Sequence, residues 1–148
     1  MKKPTVLVFI DWYKPFFKAG GPVRSMVNLV DHLHDQVDFH IVAGDRDYTA
    51  AAPPADLPKD QWVAGDQGER VWYASPGART LKQWRALLED QPWDAVYING
   101  LYSKWSTMAP LWLLRRTKQR RIVAVMKDGQ FHRRFSGRAE RGAGKVAA

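Results

Sequence analysis

The sequence contains no cysteine, which excludes disulfide-stapled scaffolds and cysteine-ligated zinc sites. A chain without cysteine suits a reducing compartment such as the cytoplasm. Long apolar runs are also missing. The first run, Val6–Ile10, is shorter than a signal-peptide core or a membrane span, and no later stretch approaches transmembrane length. With 45% hydrophobic and 12% aromatic residues, the 148-residue chain is expected to form one globular domain with a sizeable core.

Acidic residues are scarce only near the C-terminus. Residues 1–114 hold 12 Lys and Arg against 13 Asp and Glu, whereas residues 115–148 hold 11 against 2. The net charge of +8 therefore comes from a body at −1 and a C-terminal part at +9. We expect a near-neutral domain over residues 1–126 and a basic, disordered tail over residues 127–148. Such a tail is either simply solvated or contacts anionic lipid or nucleic acid.

The stretch from Val6 to Leu33 organises the rest of the chain. Its apolar start is typical of a strand buried on both faces of a parallel sheet. A loop rich in aromatic residues then leads to Gly20-Gly21-Pro22, and an amphipathic helical pattern follows at once. Glycines that lead into a helix N-terminus make an anion site plausible. The alternative is that the glycines only turn the chain.

The remaining pattern predicts an open, mostly parallel α/β sheet with helices on both faces, in the strand order 3-2-1-4-5. Further strands are predicted at residues 37–42, 71–74, 95–99 and 122–126, and Trp62-Val63 either forms a short strand or fills an apolar gap. Thr80 is expected to cap a helix over residues 81–90 with Leu81, Trp84, Leu87 and Leu88 inward. Another helix is expected from Ser106 or Thr107. Asp45-Arg46-Asp47 is read mainly as a polar turn.

Two stretches at the ends of neighbouring predicted strands resemble one known family. The first carries Tyr13, Pro15, Gly20-Gly21-Pro22, Arg24-Ser25 and Asn28-Leu29, and the second is the segment 93–103, WDAVYINGLYS. Together they resemble the N-terminal domain of GT-B glycosyltransferases of family four, over roughly residues 4–126. The resemblance implies a Rossmann-like domain that forms the N-terminal, acceptor-side half of a GT-B fold. Ligands of such sheets bind beyond the carboxyl ends of the strands.

The resemblance also implies roles for particular residues. The donor diphosphate of a nucleotide sugar would lie against Gly20, Gly21 and Arg24. The acceptor, a glycan or a lipid-linked glycan, would contact Tyr13, Phe16, Asn99, Tyr102 and Ser103. Arg24 can equally be a solvated residue of the first helical turn, Asn99 can cap a loop, and some of the aromatic residues Trp12, Tyr13, Phe16 and Phe17 must belong to the core.

No residue stands out as a nucleophile or general base, and the four histidines share no metal-ligand spacing. The retaining mechanism implied by the resemblance needs little beyond stabilising the departing diphosphate and positioning the acceptor hydroxyl. We therefore expect neither a metal nor a cofactor, with the nucleotide sugar acting as a substrate. The implied setting is polysaccharide biosynthesis in the cytoplasm, with peripheral contact at the inner membrane.

The chain departs from the family after its last predicted strand. The Pro-Arg-Gly-Met loop of the family is replaced by Met126-Lys127-Asp128-Gly129, and the donor-binding domain with its E-x7-E motif is missing. We therefore expect a truncated or frame-disrupted chain that is inactive without a separate C-terminal donor domain. The alternative function is a non-enzymatic binding module whose basic tail docks on anionic membrane or nucleic acid.

Overall fold

The computed structural model describes residues 2–100, 103–116, 122–127 and 130–134, the last two ranges through the backbone. The strands are β1 (Thr5–Ile10), β2 (Asp38–Gly44), β3 (Trp62–Ala64), β4 (Arg70–Ala74), β5 (Ala95–Asn99), β6 (Ile122–Lys127) and β7 (Gln130–Arg134). The α-helices are α1 (Gly21–Leu33), α2 (Leu81–Glu89) and α3 (Ala109–Arg116). A short 3-10 turn, Pro76–Ala78, precedes α2, and a π-helical turn, Lys104–Met108, leads into α3.

The strands form one mixed sheet in the order β3-β4-β2-β1-β5-β6-β7. The five inner strands, from β4 to β6, are all parallel, whereas β3 and β7 are antiparallel to their neighbours. The predicted open, mostly parallel α/β sheet is thus confirmed. The predicted order 3-2-1-4-5 counted five strands, which are the observed β4-β2-β1-β5-β6, so the order is confirmed as well. Of the two alternatives for Trp62-Val63, the strand is the one observed: both residues lie in β3, an edge strand that pairs with β4.

Side chains of β1 alternate between two cores, as expected for a strand covered on both faces. Val8 and Ile10 point to the side of α1, whereas Leu7 and Phe9 point to the side of α2 and α3. Trp84 of α2 is fully buried on the second side, with its ring edge-on to Phe9 at 5.7 Å between centroids. The predicted placement of helices on both faces of the sheet is therefore confirmed.

The helix starts follow the predicted capping, with two corrections. Pro22 lies in the first turn of α1, and Thr80 accepts a hydrogen bond from the amide of Gln83 at 3.2 Å. Leu81 was predicted to point inward but is 47% exposed, because its position at the helix start carries it away from the sheet. The third helical segment begins at Lys104, before the predicted Ser106 or Thr107, because it opens with the π-helical turn.

The backbone continues as a strand beyond the predicted domain boundary at residue 126. Gln130–Arg134 pairs antiparallel with β6, so this part of the predicted disordered tail has regular structure. The rest of that tail, residues 135–148, lies outside the described residues. Within the described part of the chain, no helix has the length and apolar character needed to cross a bilayer.

Candidate functional site

The candidate site lies where the carboxyl ends of β1, β2 and β5 meet. Ile10, the last residue of β1, is the register partner of Asn99, the last residue of β5. The loops that follow these two strands therefore begin side by side, as the strand order predicts. On the other flank of β1, the amide of Gly44 donates to the carbonyl of Asp11 at 3.0 Å. Three loops thus leave the sheet at one edge.

The start of α1 is open at this edge. Gly20 has φ of +78°, a left-handed conformation that L side chains rarely adopt, and it occupies the N-cap position of α1. No side chain caps the helix, and nothing lies within 4 Å of where a Cβ would stand on Gly20 or Gly21. Arg24 is exposed one turn later. The three residues predicted to hold a diphosphate therefore lie together at an uncovered helix start, which favours anions.

Asn99 and Ser103 flank the loop after β5. Asn99 is buried, and its Nδ2 has no hydrogen-bond partner in the described part of the chain. Ser103 is half-buried and caps the π-helical turn, since its Oγ accepts from the amide of Ser106 at 3.3 Å. Ser103 therefore has a structural role whether or not it also binds a ligand. Tyr102, predicted to contact the acceptor, lies outside the described residues.

Tyr13 and Phe16 belong to the core, which corrects their assignment to the acceptor site. Tyr13 is fully buried and donates its hydroxyl to Glu69 Oε1 at 3.1 Å. Phe16 is 4% exposed and meets the ring of Tyr73 edge-on. Rings enclosed in this way offer no surface to a bound sugar. Of the four loop aromatic residues, Trp12 is half-buried and Phe17 is 40% exposed, so these two remain accessible.

Burial and charge around Glu69 explain why this loop is well fixed. Lys14 Nζ lies 3.0 Å from Glu69 Oε1, and the amide of Gln67 donates to Oε2 at 2.9 Å. Burial raises the pKa of Glu69, but the hydrogen bonds from Lys14 and from backbone amides outweigh it, so the pKa lies below its ordinary value. Burial, followed by the nearby Glu69 charge, raises the pKa of Tyr13. Tyr13 is therefore a neutral donor to an ionised carboxylate.

A hydrogen bond that the sequence did not reveal joins the residue after β1 to the π-helical turn that precedes α3. The hydroxyl of Ser106, fully buried, donates to Asp11 Oδ1 at 2.7 Å across 95 positions of sequence. Thr107, the next residue, is also buried, and its Oγ1 has no hydrogen-bond partner among the described residues. The hydroxyls of Ser106 and Thr107 are thus buried polar groups near the carboxyl ends of β1 and β5. The only sequence signal for Asp11 was its place directly after an apolar strand.

A second polar cluster follows β2. Asp45 is fully buried and accepts from Arg46 Nε at 2.9 Å, and its Oδ1 lies 3.7 Å from a terminal nitrogen of Arg79. The Arg79 guanidinium stacks over Trp105 at 4.4 Å and donates to the carbonyl of Ala74. Burial lowers the pKa of Arg79, and the Asp45 charge opposes that effect. Asp45, predicted to be an ordinary turn residue, therefore anchors two arginines.

The described surface has two cavities of some size. One, of about 420 Å³, is lined by Lys14 and Phe17 of the loop after β1 and by Gly65 and Tyr73. The other, of about 350 Å³, lies at the amino ends of the strands. Neither includes Gly20 or Asn99. No group of three or more His, Asp or Glu side chains among the described residues is arranged to hold a metal ion.

Comparisons of this chain with known protein families, with curated proteins and with solved structures found no match.

Proposed function

We propose that this chain is the acceptor-side domain of a retaining GT-B glycosyltransferase, with a Rossmann-like fold. The reaction moves a hexosyl group from a nucleotide sugar to a glycan or lipid-linked acceptor. The observation that carries the proposal is the uncovered start of α1, where Gly20 has φ of +78° and nothing lies within 4 Å of a Cβ on either glycine. That start lies at the carboxyl edge of a parallel sheet, where ligands of such sheets bind.

Glycosyl transfer of this kind requires few protein side chains. The departing diphosphate carries negative charge, and the helix dipole with the Arg24 guanidinium would stabilise that charge as the sugar bond breaks. The acceptor hydroxyl must be held close to the anomeric carbon, which is a matter of positioning. Trp12, Phe17 and Ser103 are the described residues that remain accessible for this task. Tyr13 and Phe16 belong to the core, and Asn99 is also buried.

Calorimetric titration with uridine diphosphate and guanosine diphosphate tests this proposal. We expect weak binding to the chain alone, because most of the donor would contact a separate donor domain. Arg24→Ala should weaken binding about twofold to fivefold, the scale of one charge at a helix N-terminus. Arg85→Ala is the matched control, since Arg85 is also exposed on a helix but on the other side of the sheet. Equal effects of the two substitutions, or no heat with any nucleotide, would refute the proposal.

A further inference from the structure

Three residues from separate segments meet around Gly44, the last residue of β2. A Cβ on Gly44 would stand 2.8 Å from the carbonyl oxygen of Asp11, 3.3 Å from Nη2 of Arg79 and 3.8 Å from Cζ2 of Trp105. Asp11 follows β1, Arg79 follows β4, and Trp105 lies in the π-helical turn after β5. All three are half-buried, so a ligand can reach them at the carboxyl edge of the sheet.

The Arg79 guanidinium is held in place and keeps one nitrogen free. It lies over the Trp105 ring at 4.4 Å, and its Nε and Nη2 both donate to the carbonyl of Ala74 at 3.2 Å. Nη2 also lies 3.7 Å from Asp45 Oδ1, but that carboxylate already accepts from Nε and Nη2 of Arg46, at 2.9 and 3.2 Å. Nη1 of Arg79 has no hydrogen-bond partner in the described part of the chain, so it is a fixed and available donor.

The Asp11 carboxylate is held in a similar way. Its Oδ1 accepts the hydroxyl of the fully buried Ser106 at 2.7 Å, which leaves Oδ2 without a partner among the described residues. Burial lowers the pKa of Arg79, and the charges of Asp45 and Asp11 oppose that effect, so Asp11 lies close enough to act on the guanidinium. No ion pair joins Asp11 to Arg79 within the described ranges. The edge thus presents a fixed acceptor and a fixed donor that are near each other but not bonded.

Such a pair matches two neighbouring hydroxyl groups of a sugar. One hydroxyl donates to the carboxylate oxygen, and the oxygen of the next hydroxyl accepts from the guanidinium. The local charge disfavours an anionic ligand. The carboxylates of Asp45, Asp11 and Asp60 all act on Arg79, whereas Arg46 adds only one further positive charge. Phosphate or a uronic acid would therefore be repelled, and an uncharged sugar would not.

We propose that Asp11 and Arg79 bind two neighbouring hydroxyl groups of the acceptor, and that the acceptor sugar is a neutral pyranose. Holding two hydroxyls fixes the orientation of the ring, and with it the further hydroxyl that attacks the anomeric carbon. Trp12, one of the accessible residues of the same loop, directly follows Asp11. The identification of this sugar as an acceptor rests on the proposed function, whereas the sugar site itself can be tested without it.

Titration of the full chain with methyl hexopyranosides, followed by ¹H–¹⁵N correlation spectra, tests this inference. The neutral probes are the methyl glycosides of glucose, galactose and mannose, and each has a matched probe in the methyl glycoside of its uronic acid. We expect at least one neutral glycoside to give saturating shifts of the Gly44 and Ser106 amides and of the Arg79 Nε–H. Its uronic acid counterpart should bind about fivefold more weakly, the scale of one added like charge near the surface.

Three variants test the two side chains. Asp11→Asn keeps an oxygen for the Ser106 hydroxyl but removes the charge, and it should weaken binding of the neutral glycoside about tenfold. Arg79→Lys keeps the charge but loses the planar fork, and it should weaken binding about fivefold. Asp35→Asn removes an equal charge at an exposed position beyond the C-terminal end of α1 and should leave binding unchanged. The same spectra show whether each variant is folded.

Several outcomes would overturn the inference. These are unchanged binding by Asp11→Asn, tighter binding of the uronic acids, or no saturating shift with any neutral glycoside. Uridine is a further probe, because its ribose also has neighbouring hydroxyls. Shifts of the Gly44 and Ser106 amides by uridine and not by the glycosides would assign the pair to a nucleotide and would also overturn the inference.

Uridine diphosphate separates failure of this inference from failure of the proposed function. Shifts at Gly20 and Arg24 with uridine diphosphate, but none with any glycoside, would reject the sugar site and leave the proposed function standing. Glycoside binding that depends on Asp11, without any response to uridine diphosphate, would support the sugar site and reject the proposed function.

Discussion

The hydroxyl of Tyr13 lies 3.1 Å from Oε1 of Glu69, and the bond joins the loop after β1 to the turn between β3 and β4. Both partners are buried, so the bond is shielded from water. Lys14 approaches the same carboxylate oxygen, and the Tyr73 hydroxyl donates to the carbonyl of Lys14 at 2.7 Å. The loop that leads to Gly20 is thus held by contacts with Glu69 and with Tyr73 of β4. Its tyrosine acts as an anchor, which explains how a residue in a recognisable motif can be inaccessible to ligand.

Removing the Tyr13 hydroxyl tests this anchor. Tyr13→Phe keeps the ring in the core but leaves Glu69 with one donor fewer. We expect a loss of about 1.5–3 kcal/mol in the free energy of unfolding, the usual value of a buried hydrogen bond to a charged group. Urea denaturation followed by circular dichroism measures the loss. Tyr48→Phe is the control, because it removes the hydroxyl of an exposed tyrosine and keeps its ring contact with Trp12. An equal loss in both variants would contradict the anchor role.

The Glu69 carboxylate should make stability depend on acid. Its pKa lies below the ordinary value of 4.5, so the folded state prefers the ionised form. The resulting stabilisation is present above the pKa of the unfolded state and is lost as the pH falls through the lower folded-state pKa. Glu69→Gln should therefore cost about 2 kcal/mol at neutral pH and flatten the acid dependence. An unchanged pH profile of the free energy of unfolding would contradict this assignment.

His40 should impose a second pH dependence at a higher pH. It is buried edge-on to Trp62 and Trp93, at 5.2 and 4.9 Å between ring centroids. Burial lowers its pKa below the ordinary 6.5. The nearby Asp38 and Asp90 oppose this shift, and Arg70 adds to it.

Because the unfolded chain takes up that proton more readily, stability should fall as the pH drops below 6.5 and should level off below the folded-state pKa. His40→Phe, which keeps an aromatic ring in the site, should remove the fall that begins below pH 6.5. Thermal unfolding at a series of pH values below 6.5 measures it. His32→Gln, at an exposed position, should retain the fall, and a fall that persists in His40→Phe would assign it to another group.

Gly44 should tolerate no side chain. A Cβ there would stand 2.8 Å from the carbonyl oxygen of Asp11 and 3.3 Å from a terminal nitrogen of Arg79. The Asp11 oxygen is backbone and also accepts the Gly44 amide, so it cannot move freely. Gly44→Ala should cost about 1–3 kcal/mol in the free energy of unfolding. Gly77→Ala meets nothing within 4 Å and should change stability little, so similar losses at both glycines would contradict the argument.

The sheet could be predicted because each inner strand is a short apolar run that can be recognised from neighbouring residues alone. Val6–Ile10 and Ala95–Asn99 are apolar over a strand length, and their parallel order follows from the helices between them. The prediction that Leu81 points inward was wrong, because a regular apolar spacing does not show which turn of the helix is the first to contact the sheet. The π-helical turn was missed because its start depends on Ser103 capping the turn.

The candidate site was only partly predictable for a different reason. Gly20 and Arg24 lie where local sequence puts them, at the start of a helix. Asp11 and Ser106 meet across 95 positions of sequence. Asp45 and Arg79 follow the neighbouring strands β2 and β4, so no spacing rule reveals either pair. Tyr13 was assigned to the acceptor because of its place in the resembling motif. Its partner, Glu69, lies in a stretch with no periodic pattern, so the sequence did not predict their hydrogen bond.

The most direct test of the proposed function is to find which backbone amides of the full chain change their chemical shift when a nucleotide sugar binds. Titration with uridine diphosphate hexose, followed by ¹H–¹⁵N correlation spectra, reads every amide separately. We expect shifts that saturate at Gly20, Gly21 and Arg24 and extend to Ser103, at the start of the π-helical turn after β5. Shifts confined to the opposite end of the strands, around Gln67 and Gly68, or no shifts at all, would contradict it.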